Sequence, residues 1–212
     1  MPKQLNGAAT PLLESITQNP MLLDASAERL FQASISHIEN HPLASVILGT
    51  DQAAMAAATN DDDFWGDPND PEDYLHYYRP YKVIDGVLQI PVMGVLLDRF
   101  PWQLGRWATG YKYIEMALKR GLADYSVRGI ALVIDSPGGE VSGCFELAEK
   151  VYDARSEKPI RAFASNHAYS AAFALGSAAS DIIVARSGGV GSVGVVTAHV
   201  SYENMLEKAG IK

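Results

Sequence analysis

A pair of adjacent glycines is the first feature of this chain that could take part in acyl-transfer chemistry. Gly138 and Gly139 follow an apolar run, Ile130 to Ile134. Two glycines let the backbone turn sharply and leave amides that no Cβ covers, so a substrate oxygen can approach them closely. Because an oxyanion hole is built from such donors, both amides are candidate oxyanion groups. As a bare pattern, the pair is equally typical of an ordinary strand-to-helix turn.

Ser170 is the candidate nucleophile. It lies among small residues in the segment AYSAAFALGSAAS, after an expected strand and at the start of an expected helix. The amide of Ala171, in the first turn of that helix, could point at the negative charge that develops on an attacked carbonyl. A serine at this place is also a common helix N-cap, so the residue type alone leaves both roles open.

A third glycine-rich segment, SGGVGSVGVV, covers residues 187–196. Its glycines suggest a close backbone approach near strand ends, where a peptide could add as an extra strand. The same pattern fits a plain loop.

These residues need a scaffold, and the surrounding periodicity predicts an α/β fold of repeated βαβ units with a largely parallel sheet. The expected elements follow in chain order. They are two strands in 82–97 joined by a turn at Asp85-Gly86, a helix at 110–122, a strand at 130–134 that stops at Ser136, a helix at 141–155, strands at 160–164 and 181–185, and a helix after Ser170.

The remaining sequence predicts three parts. Residues 1–59 have apolar positions at helical spacing and predict an N-terminal helical extension. Residues 60–80 begin with NDDDFWGDPNDPED, whose acidic repulsion and prolines predict a mobile linker. Residues 81–212 form the expected α/β domain.

Composition restricts the function classes. The formal charge is −8 and no basic cluster stands out, so a nucleic acid is not expected as a ligand. No apolar run has the length of a membrane span, and the first residues lack a secretory signal, which predicts a cytoplasmic location. Cys144 is the single cysteine, too few for a disulfide or a structural zinc site, and is expected to be buried. The acidic segment lacks the order of a calcium loop, so no metal or cofactor is predicted.

Taken together, the three motifs resemble a known family. DSPGG at 135–139, AYSAAFALGSAASDIIVA at 168–185 and GSVGVV at 191–196 are similar to stretches of peptidases of the signal peptide peptidase A (SppA) type, within the ClpP/crotonase superfamily. The segment AHVSYENMLEKAGIK and the N-terminal PLLESITQNPMLLDASAERLFQASI extend the resemblance to the head-assembly proteases of lambda-like phages.

The resemblance implies a serine endopeptidase with a Ser-Lys dyad. It places Ser170 on the nucleophile and Gly138 and Gly139 on the oxyanion turn. The family's lysine base falls about ten residues beyond Lys212, so the dyad lysine is expected to be missing from this chain. Other candidate bases are less well placed. They are Lys212 at the terminus, Lys208 on an expected surface helix, His199 after GSVGVV, and His167, which an extended strand would point away from Ser170.

The resemblance also implies partners and a location. Expected substrates are scaffold, capsid or portal proteins, in the host cytoplasm or the prohead, and a homo-oligomer is expected. One alternative is an inactive, truncated head protein that binds peptides or assembles. A second is a crotonase-type acyl-CoA enzyme, and a third is a glycosidase that uses the carboxylates Asp135 and Glu140.

Overall fold

The computed structural model describes residues 64–194 and, outside that range, residues 21–23, 29, 33, 36, 37 and 40. The strands are β1 (Met21–Leu23), β2 (Lys82–Ile84), β3 (Val87–Leu97), β4 (Gln103–Leu104), β5 (Ala108–Gly110), β6 (Gly129–Glu140), β7 (Ile160–Tyr169), β8 (Asp181–Val184) and β9 (Gly189–Gly191). The helices of four or more described residues are α1 (Leu75–Tyr78), α2 (Tyr111–Ala123), α3 (Cys144–Ala154) and α4 (Ala171–Ala178).

A single sheet organises the described residues, in the order β4-β5-β3-β6-β7-β8. Neighbouring strands from β5 through β3, β6 and β7 to β8 run parallel. The strand–helix–strand order β6-α3-β7-α4-β8 supplies these parallel neighbours, as crossover connections require. The predicted α/β fold with a largely parallel sheet is therefore confirmed.

The core lies where the helices pack on this sheet. Its buried side chains include Ile114 of α2, Leu147 of α3 and Leu175 of α4, together with Ile90 and Leu132 of the central strands. Burial of each such side chain stabilises the fold by about 1.5–3 kcal/mol before conformational entropy is subtracted. The helices are consequently held against the strands whose ends carry the candidate site.

The predicted turn at Asp85-Gly86 is confirmed. Strands β2 and β3 pair antiparallel on either side of it, with Ile84 opposite Val87. Asp85 and Gly86 have φ values of 51° and 77°, the left-handed conformation that the favoured two-residue hairpin turn requires at both positions.

Strand β6 is longer than predicted. The sequence indicated an abrupt stop at Ser136, whereas the strand continues through the two glycines to Glu140. It does so with irregular register: the pairing with β3 shifts between Met93 and Val95, and the pairing with β7 shifts after Ile134. A bulge lets a strand bend without ending. The turn propensities of single residues do not reveal such a bulge.

Part of the predicted acidic linker is folded onto the domain. Phe64 is fully buried and Trp65 nearly so. Arg79 lies between the rings of Phe64 and Trp102, 4.2 and 4.1 Å from their centroids, and donates to the carbonyl oxygens of Phe64 and Pro101. Within residues 64–80, aromatic side chains therefore contact the core, which the acidic composition of the segment did not indicate.

The predicted N-terminal helical extension falls mostly outside the described residues. Within it, Met21–Leu23 form strand β1, which the sequence did not predict and which pairs with the end of β6. Among the helices of the described residues, none has the length and hydropathy to cross a membrane.

Candidate active site

Parallel pairing brings the glycine pair and Ser170 to the same edge of the sheet. Ser136 of β6 is the register partner of Ala168 of β7. Both strands run in the same direction, so two residues further along each chain lie Gly138 and Ser170. Carboxyl ends of parallel strands are where ligands of open α/β sheets usually bind.

Ser170 has an unusual backbone conformation for a side-chain-bearing residue. Its φ is 54° and its ψ is −118°, a region that glycine occupies far more readily. Such a conformation costs about 1–3 kcal/mol and persists only where the surroundings enforce it. Here the Ser170 amide donates to the carbonyl oxygen of Gly191 at 2.7 Å, which ties the residue to β9.

Ser170 does not cap the helix that follows it, a role that the sequence had left open. Ser170 precedes α4, yet its side chain makes no capping hydrogen bond. Its hydroxyl instead lies 3.3 Å from the carbonyl oxygen of Gly194, which is long for an O–H···O contact. This long contact holds the hydroxyl only weakly. Because only 3% of Ser170 is exposed, the hydroxyl also lies in a largely enclosed position.

The first turn of α4 supplies donors next to this hydroxyl. Ala171 and Ala172 are fully buried, and the first helical bond from this end runs from the Ala174 amide to the Ser170 carbonyl. First-turn amides have no acceptor within their own helix and carry the positive end of the helix dipole. The Ala171 amide therefore has the character of an oxyanion donor.

The two glycines differ in what holds them. The Gly138 amide already donates to the hydroxyl of Ser136 at 3.1 Å, and Gly138 has a φ of 104°. Gly139 lies against β3, where an added Cβ would come 1.9 Å from the Leu96 carbonyl oxygen. Glycine is thus required at 139 by backbone packing as well as by any need for an uncovered amide.

The carboxylates that suggested a glycosidase have other partners. Asp135 accepts from Asn166 Nδ2 at 2.9 Å and contacts His167 Nδ1 at 3.3 Å. Glu140 is fully buried and accepts a short hydrogen bond from the Asp98 amide. Both carboxylates are engaged in holding loop and strand backbone or neighbouring side chains, which gives them a structural role.

Candidate bases are not brought to Ser170 within the described residues. His167 contacts Asp135 through its Nδ1 atom. His199, Lys208 and Lys212 lie outside the described residues. Across 64–194, the Ser170 hydroxyl has no hydrogen bond to a lysine or histidine nitrogen.

Two contributors to this site were missed at the level of sequence. Ser136 is fully buried, and its hydroxyl accepts the Gly138 amide two residues on; a serine before Pro-Gly-Gly is a typical side-chain turn signal. Strand β9, from the segment interpreted as a loop or a peptide groove, pairs with the end of β7 and places Gly191 opposite Tyr169.

Cys144 is buried, as predicted. Burial is the main cause that raises the pKa of its thiol to about 11, partly opposed by a hydrogen bond with Tyr111. The neutral thiol packs beneath the site, with Sγ 3.7 Å from the Ala171 carbonyl oxygen. A thiol of raised pKa is a poor nucleophile near neutral pH, so Ser170 is the better candidate.

Comparison with known proteins gives this geometry a family context. Residues 153–212 match the model of peptidase family S49. The head-tail preconnector protein GP5 of Enterobacteria phage P21 is 40% identical over 63% of this chain and 27% of its own length. Capsid assembly protease C of Escherichia phage lambda is 32% identical over 95% of this chain and 46% of its own length.

A protein of Enterococcus faecium that carries the name signal peptide peptidase SppA is 26% identical over 59% of this chain and 37% of its own length. The chain thus spans less than half the length of each of these three relatives. The resemblance to SppA-type peptidases and to phage head-assembly proteases, predicted from the motifs, is confirmed.

Proposed function

We propose that this chain, whose residues 153–212 match peptidase family S49, is a serine endopeptidase that acts in phage head maturation, with Ser170 as its nucleophile. The observation that carries the proposal is the conformation of Ser170. It is held at positive φ, at the start of a helix, without a capping bond, at the sheet edge that also carries Gly138 and Gly139.

In the proposed reaction the Ser170 oxygen attacks the carbonyl carbon of a peptide bond, and the resulting oxyanion accepts hydrogen bonds from backbone amides. Ala171 and Gly139 are the preferred donors, because the Gly138 amide already bonds to Ser136. The carbon–nitrogen bond then breaks as the leaving amine takes a proton, and water hydrolyses the ester on Ser170. Gly138 positions its neighbour in this scheme.

The general base is proposed to be a lysine, as the family resemblance implies. Since the Ser170 hydroxyl bonds to no lysine within 64–194, that lysine has to come from outside the described residues. An enclosed site favours such a base, because burial lowers a lysine pKa by destabilising the charged form. Ser170, only 3% exposed, provides such an environment.

The proposed substrates are proteins of an assembling phage head, in the prohead or the host cytoplasm. Support comes from the names of two relatives, a capsid assembly protease and a head-tail preconnector protein. A protein substrate also suits the sheet edge, where an extended chain can pair with exposed backbone.

A homo-oligomer is also proposed. Phe163 of β7 and Ile183 of β8 are register partners and therefore share one face of the sheet, where they are 38% and 44% exposed. Neighbouring exposed apolar side chains favour contact with another subunit, and light scattering on the purified chain measures its mass directly.

The proposal is tested by incubating the protein, in the longest form its gene encodes, with fluorescein-labelled casein and with its own phage's scaffold protein. We expect fragments to form with the wild-type protein and with Ser177→Ala, a serine seven residues away on α4 whose hydroxyl bonds to the Ala174 carbonyl. Ser170→Ala should give none above background. Equal cleavage by Ser170→Ala and the wild-type protein would refute the assignment.

A further inference from the structure

Strand β6 changes neighbours along its length. Up to Ser136, β3 lies on one edge of β6 and β7 on the other. Beyond Ser136 the pairing with β7 ends, while β3 continues beside Gly138 and Gly139. The edge of residues 138–140 that faces away from β3 is therefore open to another strand.

That edge is taken by β1, a strand from the chain's own N-terminal part. Met21, Leu22 and Leu23 pair antiparallel with Glu140, Gly139 and Gly138, respectively. A strand has only two hydrogen-bonding edges, and β3 holds the other one at Gly138 and Gly139. Residues 21–23 must therefore lie on the side where β7 ends, next to Ser170.

An extended segment in this place has the geometry of a bound peptide. Its backbone runs along the glycine pair, and it is added to a sheet edge in the way that peptides are recognised by strand addition. Backbone pairing of this kind reads no particular side chain. A different extended segment can use the same hydrogen bonds.

We propose that residues 21–23 are a built-in occupant of the edge of residues 138–140, where they exclude other extended, antiparallel peptides. In this arrangement the chain's own Met-Leu-Leu segment competes with peptides that come from outside. That such peptides are substrates rests on the proposed function, whereas the competition itself does not depend on it.

The strength of such competition follows from the tether. Three paired residues provide only a few backbone hydrogen bonds, each worth about 0.5–1.5 kcal/mol net, so the occupant is exchangeable. A tethered segment acts at an effective concentration on the order of 1 mM. If the free peptide has a dissociation constant near 0.1 mM, occupation by β1 weakens external binding about tenfold.

Binding of a labelled peptide measures this competition. The probe is a fluorescein-labelled peptide with the sequence of residues 19–26, NPMLLDAS, and fluorescence anisotropy gives its dissociation constant for the full chain in a Ser170→Ala background. In an antiparallel pair, alternate residues point their N–H groups into the ladder. Proline is therefore introduced at each of two neighbours, Leu22→Pro and Leu23→Pro, with Leu22→Ala and Leu23→Ala as controls that keep the N–H.

We expect at least one proline variant to bind the probe about tenfold more tightly, because proline removes a ladder donor and releases β1. The alanine controls should differ from the parent by less than about twofold. In the same proline variant, hydrogen–deuterium exchange at the backbone of residues 138–140 should become faster. The exchange rate at Ile130 to Ile134, in the centre of β6, should not change. An unchanged rate there would show that the fold is intact.

Unchanged probe affinity in both proline variants, with unchanged exchange at residues 138–140, would show that β1 does not occupy a docking edge. Tighter probe binding by the alanine controls as well would assign the effect to side chains rather than to backbone pairing, and would also overturn the proposal. The assay contains no catalytic step. Failure of Ser170 to hydrolyse peptides therefore leaves this result intact, and the two proposals can fail separately.

Discussion

Replacement of Ser170 by glycine is expected to stabilise the fold and to abolish hydrolysis. Ser170 has a φ of 54° and a ψ of −118°, which glycine adopts without the clash that a Cβ causes. Relief of that strain should raise the free energy of unfolding by about 1 kcal/mol, after allowance for the larger entropy of glycine in the unfolded chain. Peptide hydrolysis should fall by about 10³-fold or more, because the proposed nucleophile is removed.

Ser170→Ala is the first control, because it removes the hydroxyl and keeps the strain. It should lose activity to the same extent and unfold in urea close to the wild-type midpoint. Asp85→Gly is the second control, at a φ of 51° in the β2–β3 hairpin far along the chain from the site. It should keep full activity. A Ser170→Gly variant that is less stable than Ser170→Ala would contradict the view that this serine is held under strain for function.

Gly139→Ala is expected to have the second large effect, on stability as well as on activity. An alanine Cβ at this position would come 1.9 Å from the Leu96 carbonyl oxygen and 2.6 Å from the Leu96 nitrogen. These are backbone atoms of β3 and cannot move aside without separating the strands. Overpacking of this kind costs about 1–3 kcal/mol and occasionally more, so the urea midpoint should fall strongly. Any variant that remains folded should hydrolyse peptides at least about 100-fold more slowly, since the proposed oxyanion donor is displaced.

The matched control lies on the same strand. At Gly129, the first residue of β6, an added Cβ would meet the Pro159 carbonyl oxygen at 3.4 Å, an ordinary contact distance. Gly129→Ala should therefore change the urea midpoint little and leave hydrolysis unchanged. If Gly139→Ala is as stable and as active as Gly129→Ala, the close approach of β3 at Gly139 is not a constraint of the folded protein.

Much of the fold could be predicted because local pattern and global architecture agree. The helix expected at 110–122 is α2, Tyr111–Ala123, and the strand expected at 160–164 begins at Ile160 as β7. Periodicity and turn residues are local properties, and these elements obey them. Strand β6 departs from the prediction because its last residues are held by β3 and β1, which are long-range partners that local propensity does not include.

At the site, residue types were easier to predict than their roles. Ser170 and the glycine pair were singled out from small-residue context, but the sequence could not distinguish a helix cap from a nucleophile; the missing capping bond excludes the cap and leaves the nucleophile as the proposed role. The serine before Pro-Gly-Gly is a local turn signal for the bond between Ser136 and the Gly138 amide, but the packing of Gly139 on Leu96 depends on strand register and could not be predicted. The burial of Phe64 and Trp65 was not predicted because they lie in an acidic segment, and the average composition of a segment does not show which of its residues are buried.

The most direct test of the central claim, that Ser170 is an activated nucleophile, is covalent labelling followed by mass spectrometry. The protein, in the longest form its gene encodes, is treated with an alkyl fluorophosphonate, which reacts with activated serines in general, and the modified residue is located by peptide mapping. We predict a single adduct on Ser170, absent after denaturation before treatment and absent in Ser170→Ala, with Ser177→Ala labelled as the wild-type protein is. An adduct on another residue, or equal labelling of the native and the denatured protein, would contradict the account.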